Sequence, residues 1–111
     1  MSAVLYLKSD RMGMGDDGLG RKLLRSFLST MLASETRIDR IICVNSGVFL
    51  TTEGTPVLEE LRDFEKQGVK IFSCGTCLRH FGLESKVMVG RIGDMVGTVT
   101  ALNDATRVIT P

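Results

Sequence analysis

The chain has 111 residues, 43% of them hydrophobic and 24% charged, which suits one compact domain over residues 1–111, with a real core but not two. Lys and Arg total 14 against 13 Asp and Glu, a net charge of +1, so no strong field draws the protein to nucleic acid or an acidic membrane. One Tyr and no Trp also leave no platform for stacking bases.

The opening "MSAVLYLKSD" has no basic leader, and its apolar run is too short for a signal peptide. No stretch approaches the ~20 apolar residues of a membrane span. The expected location is the cytoplasm. "AVLYLK" (3–8) reads as a first strand that breaks at Ser9-Asp10. Leu19, Leu23, Leu24, Phe27, Leu28, Met31 and Leu32 then recur at helical spacing, with Asp16 or Asp17 as N-cap. "RIICVN" (40–45) is a second, buried strand, and "SGVFLTTEG" (46–54) an irregular connection. Thr55-Pro56 reads as an N-cap followed by proline at the first helical position. Val57, Leu58, Leu61 and Phe64 give that helix its apolar face, and Gly68 ends it. "VKIFS" (69–73) is a third strand running into Cys74, followed by a short helix from Thr76 to Phe81 that stops at Gly82. "KVMVG" (86–90) is expected to be the fourth strand. Ile92, Met95, Val96, Val99 and Leu102 mark a last helix, weakened by Gly93 and Gly97, and "TRVIT" (106–110) is the fifth strand.

Strands that alternate with helices need crossovers, and crossovers give a parallel sheet covered on both faces. The expected fold is therefore α/β, a three-layer α/β/α domain. In such sheets ligands bind beyond the C-terminal ends of the strands. That rule brings Ser9-Asp10-Arg11, Asn45-Ser46-Gly47 and Cys74-Gly75-Thr76-Cys77 to one candidate edge.

Two motifs invite chemistry. "GMGDDG" (13–18) matches G-x-G-x-x-G between a strand and a helix. Asp16 and Asp17 would repel a pyrophosphate there and occupy the helix N-terminus themselves, so the stretch reads as a flexible loop with an aspartate cap. "SCGTCL" (73–78) carries more. Cys74 lies where strand becomes helix, a position that favours the thiolate, and Cys77 is close enough to attack a species formed on it. Gly75 and Thr76 let backbone N–H groups approach an anionic sulfur.

Four readings of the cysteine pair compete. As a metal site, Cys74, Cys77 and His80 lack a second ligand pair, and His80 reads as an exposed helix residue. As a thioredoxin-like dithiol, the pair lacks a cis-proline candidate, since Pro56 starts a helix and Pro111 is terminal. As packing, it sits awkwardly beside glycine at a strand's end. Sulfur or selenium transfer needs one activated thiol in a donor-rich cradle, with a second thiol to release product, and no metal or organic cofactor. Three cysteines are too few, and odd in number, for a secreted disulfide scaffold. Cys43, inside a strand, reads as a small buried hydrophobe.

The segments "LYLKSDRMGMGDDGLGRKLLRSFL", "VNSGVFLTTEG", "LEELRDFEKQGVKIFSCGTCL" and "GLESKVMVGRIGDM" resemble, in that order, the YedF-like branch of the DsrE/DsrF-like superfamily. The resemblance implies an α/β/α domain with a mainly parallel sheet of about five strands. It also implies a homo-oligomer that takes part in intracellular sulfur transfer or selenium metabolism. The family's active cysteine follows a central strand in a segment like C-G-N-x-L, which carries over to Cys74. Cys77 is then a feature of the branch, either a resolving thiol or the carrier itself. YedF-like proteins also carry an N-terminal domain similar to the TusA sulfur carriers, with a Cys-Pro motif. No Cys-Pro occurs here, so a separate TusA-like carrier is the expected partner.

Together these readings suggest a sulfurtransferase-like protein with Cys74 and Cys77 as catalytic residues. Asn45, Gly47, Gly75 and Thr76 shape the site, and Asp10 and Arg11 are further substrate-binding candidates at its edge. The alternative is a non-catalytic oligomeric module that docks a carrier or a small ligand. Family resemblance alone does not decide whether the chain is an enzyme.

Overall fold

The computed structural model describes residues 2–111. The strands are β1 (Ala3–Leu7), β2 (Arg40–Cys43), β3 (Lys70–Cys74), β4 (Arg91–Gly93) and β5 (Arg107–Ile109). The α-helices are α1 (Asp17–Ala33), α2 (Leu58–Lys66), α3 (Gly75–Phe81) and α4 (Met95–Asp104), with 3-10 turns at Asn45–Leu50 and Glu84–Lys86. All strand pairs are parallel, in the order β4-β3-β2-β1-β5. No helix among the described residues is long and apolar enough to cross a membrane.

The topology follows from crossover handedness. From β1 to β4 the chain steps one strand at a time in one direction, so right-handed crossovers put α1, α2 and α3 on one face. The return from β4 to β5 runs the other way and puts α4 on the opposite face. The expected three layers are present, but unequally filled. Leu5, Leu7, Ile41, Cys43 and Ile71 of the sheet join Leu24 and Leu28 of α1, Leu61 and Phe64 of α2 and Leu78 of α3 in one buried core. On the other face Val4 and Ile42 are buried, while Tyr6, Arg40 and Phe72 are half-buried and the Arg40 guanidinium lies 4.8 Å over the Phe72 ring.

The local capping signals of α1 and α3 hold. Asp16 caps α1 by accepting from the Leu19 N–H at 2.7 Å, and Gly82 closes α3 in the left-handed conformation. Thr55 accepts from the Val57 N–H at 3.2 Å, but α2 begins at Leu58, so Pro56 precedes the helix instead of opening it.

Two expectations are corrected in the last third of the chain. The stretch 86–90 is not the fourth strand. Val87 makes an isolated antiparallel bridge to Thr52, and the Met88 N–H donates to the Thr51 carbonyl at 2.8 Å. These residues close over the 3-10 segment. Gly90, at φ 78°, turns the chain into β4, where any Cβ would press on the Ile71 carbonyl. Ile92 and Gly93 accordingly belong to β4, and α4 starts only after Asp94, which accepts from the Gly97 N–H at 2.7 Å. The apolar side of α4 also faces outward. Thr98 is its one buried residue, whereas Met95, Val96 and Val99 are exposed.

Candidate functional site

Cys74 is the last residue of β3, and its Cα is paired with Gly93 of β4. The strand end is fixed from below by a buried contact, 2.5 Å, between the hydroxyls of Ser73 and Thr51. α3 begins at the next residue. A Cβ on Gly75 would lie 3.2 Å from Ile92 Cγ2 and 3.3 Å from the Gly93 carbonyl oxygen, so a small residue lets α3 start close against β4. β3 continues into α3 on the core face and β4 into α4 on the opposite face. That divergence is the topological switch at which open α/β sheets form their crevices.

The two thiols of "SCGTCL" differ in setting. Cys74 is 5% exposed. Burial opposes its ionisation, but the N–H groups and side chains of Cys77 and Thr76 donate to its sulfur. Together they hold the thiol below its ordinary pKa. Cys77, in the first turn of α3, is half-buried. Burial pushes its thiol up, the Asn45 N–H acts against this, and the neighbouring Cys74 sulfur adds to the rise. The pair therefore favours a thiolate on Cys74 with the Cys77 S–H as its donor. Cys77 also opens onto a cavity of about 310 Å³ that it shares with Asn45, Thr76, His80 and Phe81.

Asn45 reaches this site through its backbone. It follows β2 with φ 53°, a left-handed conformation that asparagine tolerates better than most residues. Its side-chain oxygen accepts from the Ser46 N–H at 2.8 Å, and its own N–H donates to Cys77 Sγ at 3.1 Å. Gly47 serves the same edge indirectly. It is buried, and a Cβ there would collide with the Leu7 carbonyl, so glycine lets the 3-10 segment cross β1 closely.

Asp10 and Arg11 lie at the same sheet edge but are engaged elsewhere. Asp10 pairs with Arg11 at 3.0 Å and Arg21 at 3.8 Å, and Arg11 pairs with Asp17 at 2.8 Å. The Asp10 N–H donates to Ser46 Oγ at 3.3 Å. This network ties the loop after β1 to α1 and to the 3-10 segment. Neither residue lines the cavity beside Cys77.

Two further side chains meet here. His80, weighed with the cysteines as a metal ligand and read as an exposed helix residue, is exposed, yet it lines the Cys77 cavity one helical turn beyond the cysteine. Phe81 lines it too and packs against Phe49 with ring centroids 4.7 Å apart. The i, i+3 spacing of Cys77 and His80 on a helix puts both on one face, whereas Phe49 and Phe81 were not singled out in the sequence. Cys43 is fully buried in the core, where burial pushes its thiol to about 12. Among the described residues no three His, Cys, Asp or Glu side chains gather as metal ligands would.

Comparison with known proteins agrees with this architecture. The DsrE/DsrF-like family profile matches residues 14–111. The ychN protein from E. coli superposes with a TM-score of 0.72 at 18% identity, covering 100% of both chains. MTH1491 from Methanobacterium thermoautotrophicum, a protein of unknown function, gives 0.70 at 18% identity over 99% of this chain and 98% of its own. BT1422 from Bacteroides thetaiotaomicron, also of unknown function, gives 0.69 at 16% over 99% and 95%. No curated protein matches the sequence. At these identities the likeness speaks for the fold, and the profile match for the family: the chain belongs to the DsrE/DsrF-like family.

Proposed function

We propose that the protein is a sulfurtransferase-like member of the YedF-like branch, relaying persulfide sulfur, or selenium, in the cytoplasm through its C-x-x-C pair. The observation that carries this reading is the asymmetry of the pair. Cys74 has donors that offset its burial, and Cys77 opens to a cavity. A persulfide donor R–S–SH transfers its outer sulfur to a protein thiolate, giving a protein persulfide and R–S⁻. The sulfur–sulfur bond broken and the one formed are equivalent, so no external oxidant or reductant is consumed. An N–H-rich, partly buried pocket suits the anionic persulfide that results.

A small TusA-like carrier protein is the proposed donor or acceptor. The outward-facing Met95, Val96 and Val99 of α4, beside exposed Ile92, support a homo-oligomer that covers this face. One observation favours a second reading, a docking module without chemistry: Cys74 is almost fully buried.

Intact-mass analysis after incubation with a cysteine desulfurase and cysteine separates the two. Relay predicts a gain of one sulfur that persists in Cys43→Ser and disappears in the double variant Cys74→Ser/Cys77→Ser. No adduct with any of several persulfide donors, in the absence of reductant, leaves only the docking module.

A further inference from the structure

We infer that sulfur enters the site at Cys77 and comes to rest on Cys74, so that the pair is a two-station relay with an outer and an inner thiol. The inference rests on the persulfide reading above and adds an order to it. It stands on three geometric observations. Cys74 is 5% exposed, enclosed where β3 meets α3, and absent from the cavity lining. Cys77 lines the cavity of about 310 Å³, which opens between Asn45, Thr76, His80 and Phe81. Cys74 is the residue just before α3 and Cys77 lies three residues on, in its first turn. A donor persulfide therefore meets Cys77 first, and Cys74 is reached through it.

The chemistry balances in two steps. In the first, Cys74–S⁻ takes the proton of the neighbouring Cys77–SH, and the Cys77 thiolate attacks the outer sulfur of R–S–SH. The products are Cys77–S–SH and R–S⁻, which recovers the proton from Cys74 and leaves as R–SH. In the second, the restored Cys74–S⁻ attacks the outer sulfur of Cys77–S–SH, giving Cys74–S–SH and Cys77–S⁻. One sulfur–sulfur bond breaks and one forms in each step, and no electrons are gained or lost overall. The Asn45 N–H, 3.1 Å from Cys77 Sγ, stabilises the Cys77 thiolate both as attacking and as leaving group. Asn45 is thus a positioning residue for the outer station. Attack on the inner sulfur of Cys77–S–SH would instead give a Cys74–Cys77 disulfide and HS⁻, the failure path of the same arrangement.

The test uses the full chain in a Cys43→Ser background with glutathione persulfide as donor, quenched at intervals and read by intact mass and peptide mapping. The parent should load one sulfur that maps to Cys74 at rest. Cys74→Ser lacks the base of the first step, so it should load more slowly at neutral pH but still load at alkaline pH, where Cys77 ionises unaided, with the sulfur held on Cys77. Cys77→Ser should load roughly tenfold more slowly or worse, because the remaining thiol is enclosed. Cys77→Ala serves as a second variant, and unchanged thermal midpoints show that both fold. Cys77→Ser and Cys77→Ala loading Cys74 as fast as the parent would overturn the relay while leaving the persulfide reading intact. The same holds if Cys74→Ser fails to load at alkaline pH. No sulfur on the parent or either single variant would remove the persulfide reading itself.

Discussion

The backbone N–H of Asn45 donates to Cys77 Sγ at 3.1 Å, joining the end of β2 to the first turn of α3. The bond depends on Asn45 holding φ 53°. Asn45→Gly keeps that conformation available and should leave both stability and Cys77 alkylation nearly unchanged. Asn45→Val, β-branched at a left-handed position, should cost about 1–2 kcal/mol. It should also slow Cys77 alkylation in a Cys74→Ser background, because the donor moves away. Urea titration and iodoacetamide rates measure the two effects; equal behaviour of the Gly and Val variants would contradict the assignment.

The buried hydroxyls of Thr51 and Ser73 hold the 3-10 segment against the strand end that delivers Cys74. Thr51 Oγ1 is also 3.1 Å from the Val48 carbonyl. Thr51→Val leaves Ser73 without its partner and should destabilise by about 1–3 kcal/mol. Adding Ser73→Ala removes the stranded hydroxyl and should recover part of that loss. A double-mutant cycle by chemical denaturation gives the coupling directly, and strictly additive effects would show that the two hydroxyls act independently.

Much of this arrangement was legible in the sequence because the signals were local. Short apolar runs marked β1 to β3, Asp16 announced the start of α1, and Gly82 announced the end of α3. Parallel pairing then brought Asn45 and Cys77 to one edge. The losses came where tertiary partners overrode local pattern. "KVMVG" has the composition of a strand, but its Val87 pairs with Thr52 across the 3-10 segment, and β4 forms after Gly90 from a less apolar "RIG". The apolar residues of α4 have helical spacing, yet that spacing does not say which face of the helix meets the sheet. Thr98 takes the inner position. Asp10 and Arg11 lie at the predicted edge, where their charges pair with one another and with α1, an engagement that no sequence spacing reveals.

Cys43 gives a pH signature separate from the site. Its folded thiol titrates at about 12, against an ordinary 9.0, because it is buried. Between these values the unfolded chain has lost the proton that the folded chain keeps. Stability from this group therefore falls as pH rises across that window. Cys43→Ala will shift stability by a constant packing loss. The difference in unfolding free energy between parent and variant should shrink progressively from pH 9 upward. A difference independent of pH would mean that Cys43 does not stay protonated in the fold.

The outward side of α4 carries Met95, Val96 and Val99, with Val96 77% exposed in the single chain. If a second copy covers this face, Val96→Lys should dissociate the assembly while leaving the thermal unfolding of the isolated domain close to the parent's. Sedimentation equilibrium over a range of concentrations measures it. A monomeric parent, or a variant with the parent's mass, would contradict the proposed surface.

A relay requires the C-x-x-C pair to accept one sulfane sulfur and to give it up again. Cyanide tests both halves at once, because it removes the outer sulfur of a persulfide as thiocyanate and restores the thiol. After loading and desalting, the parent and Cys43→Ser should each yield one thiocyanate per chain, and Cys74→Ser/Cys77→Ser none. No thiocyanate from the loaded parent, or an equal yield from the double variant, would contradict it.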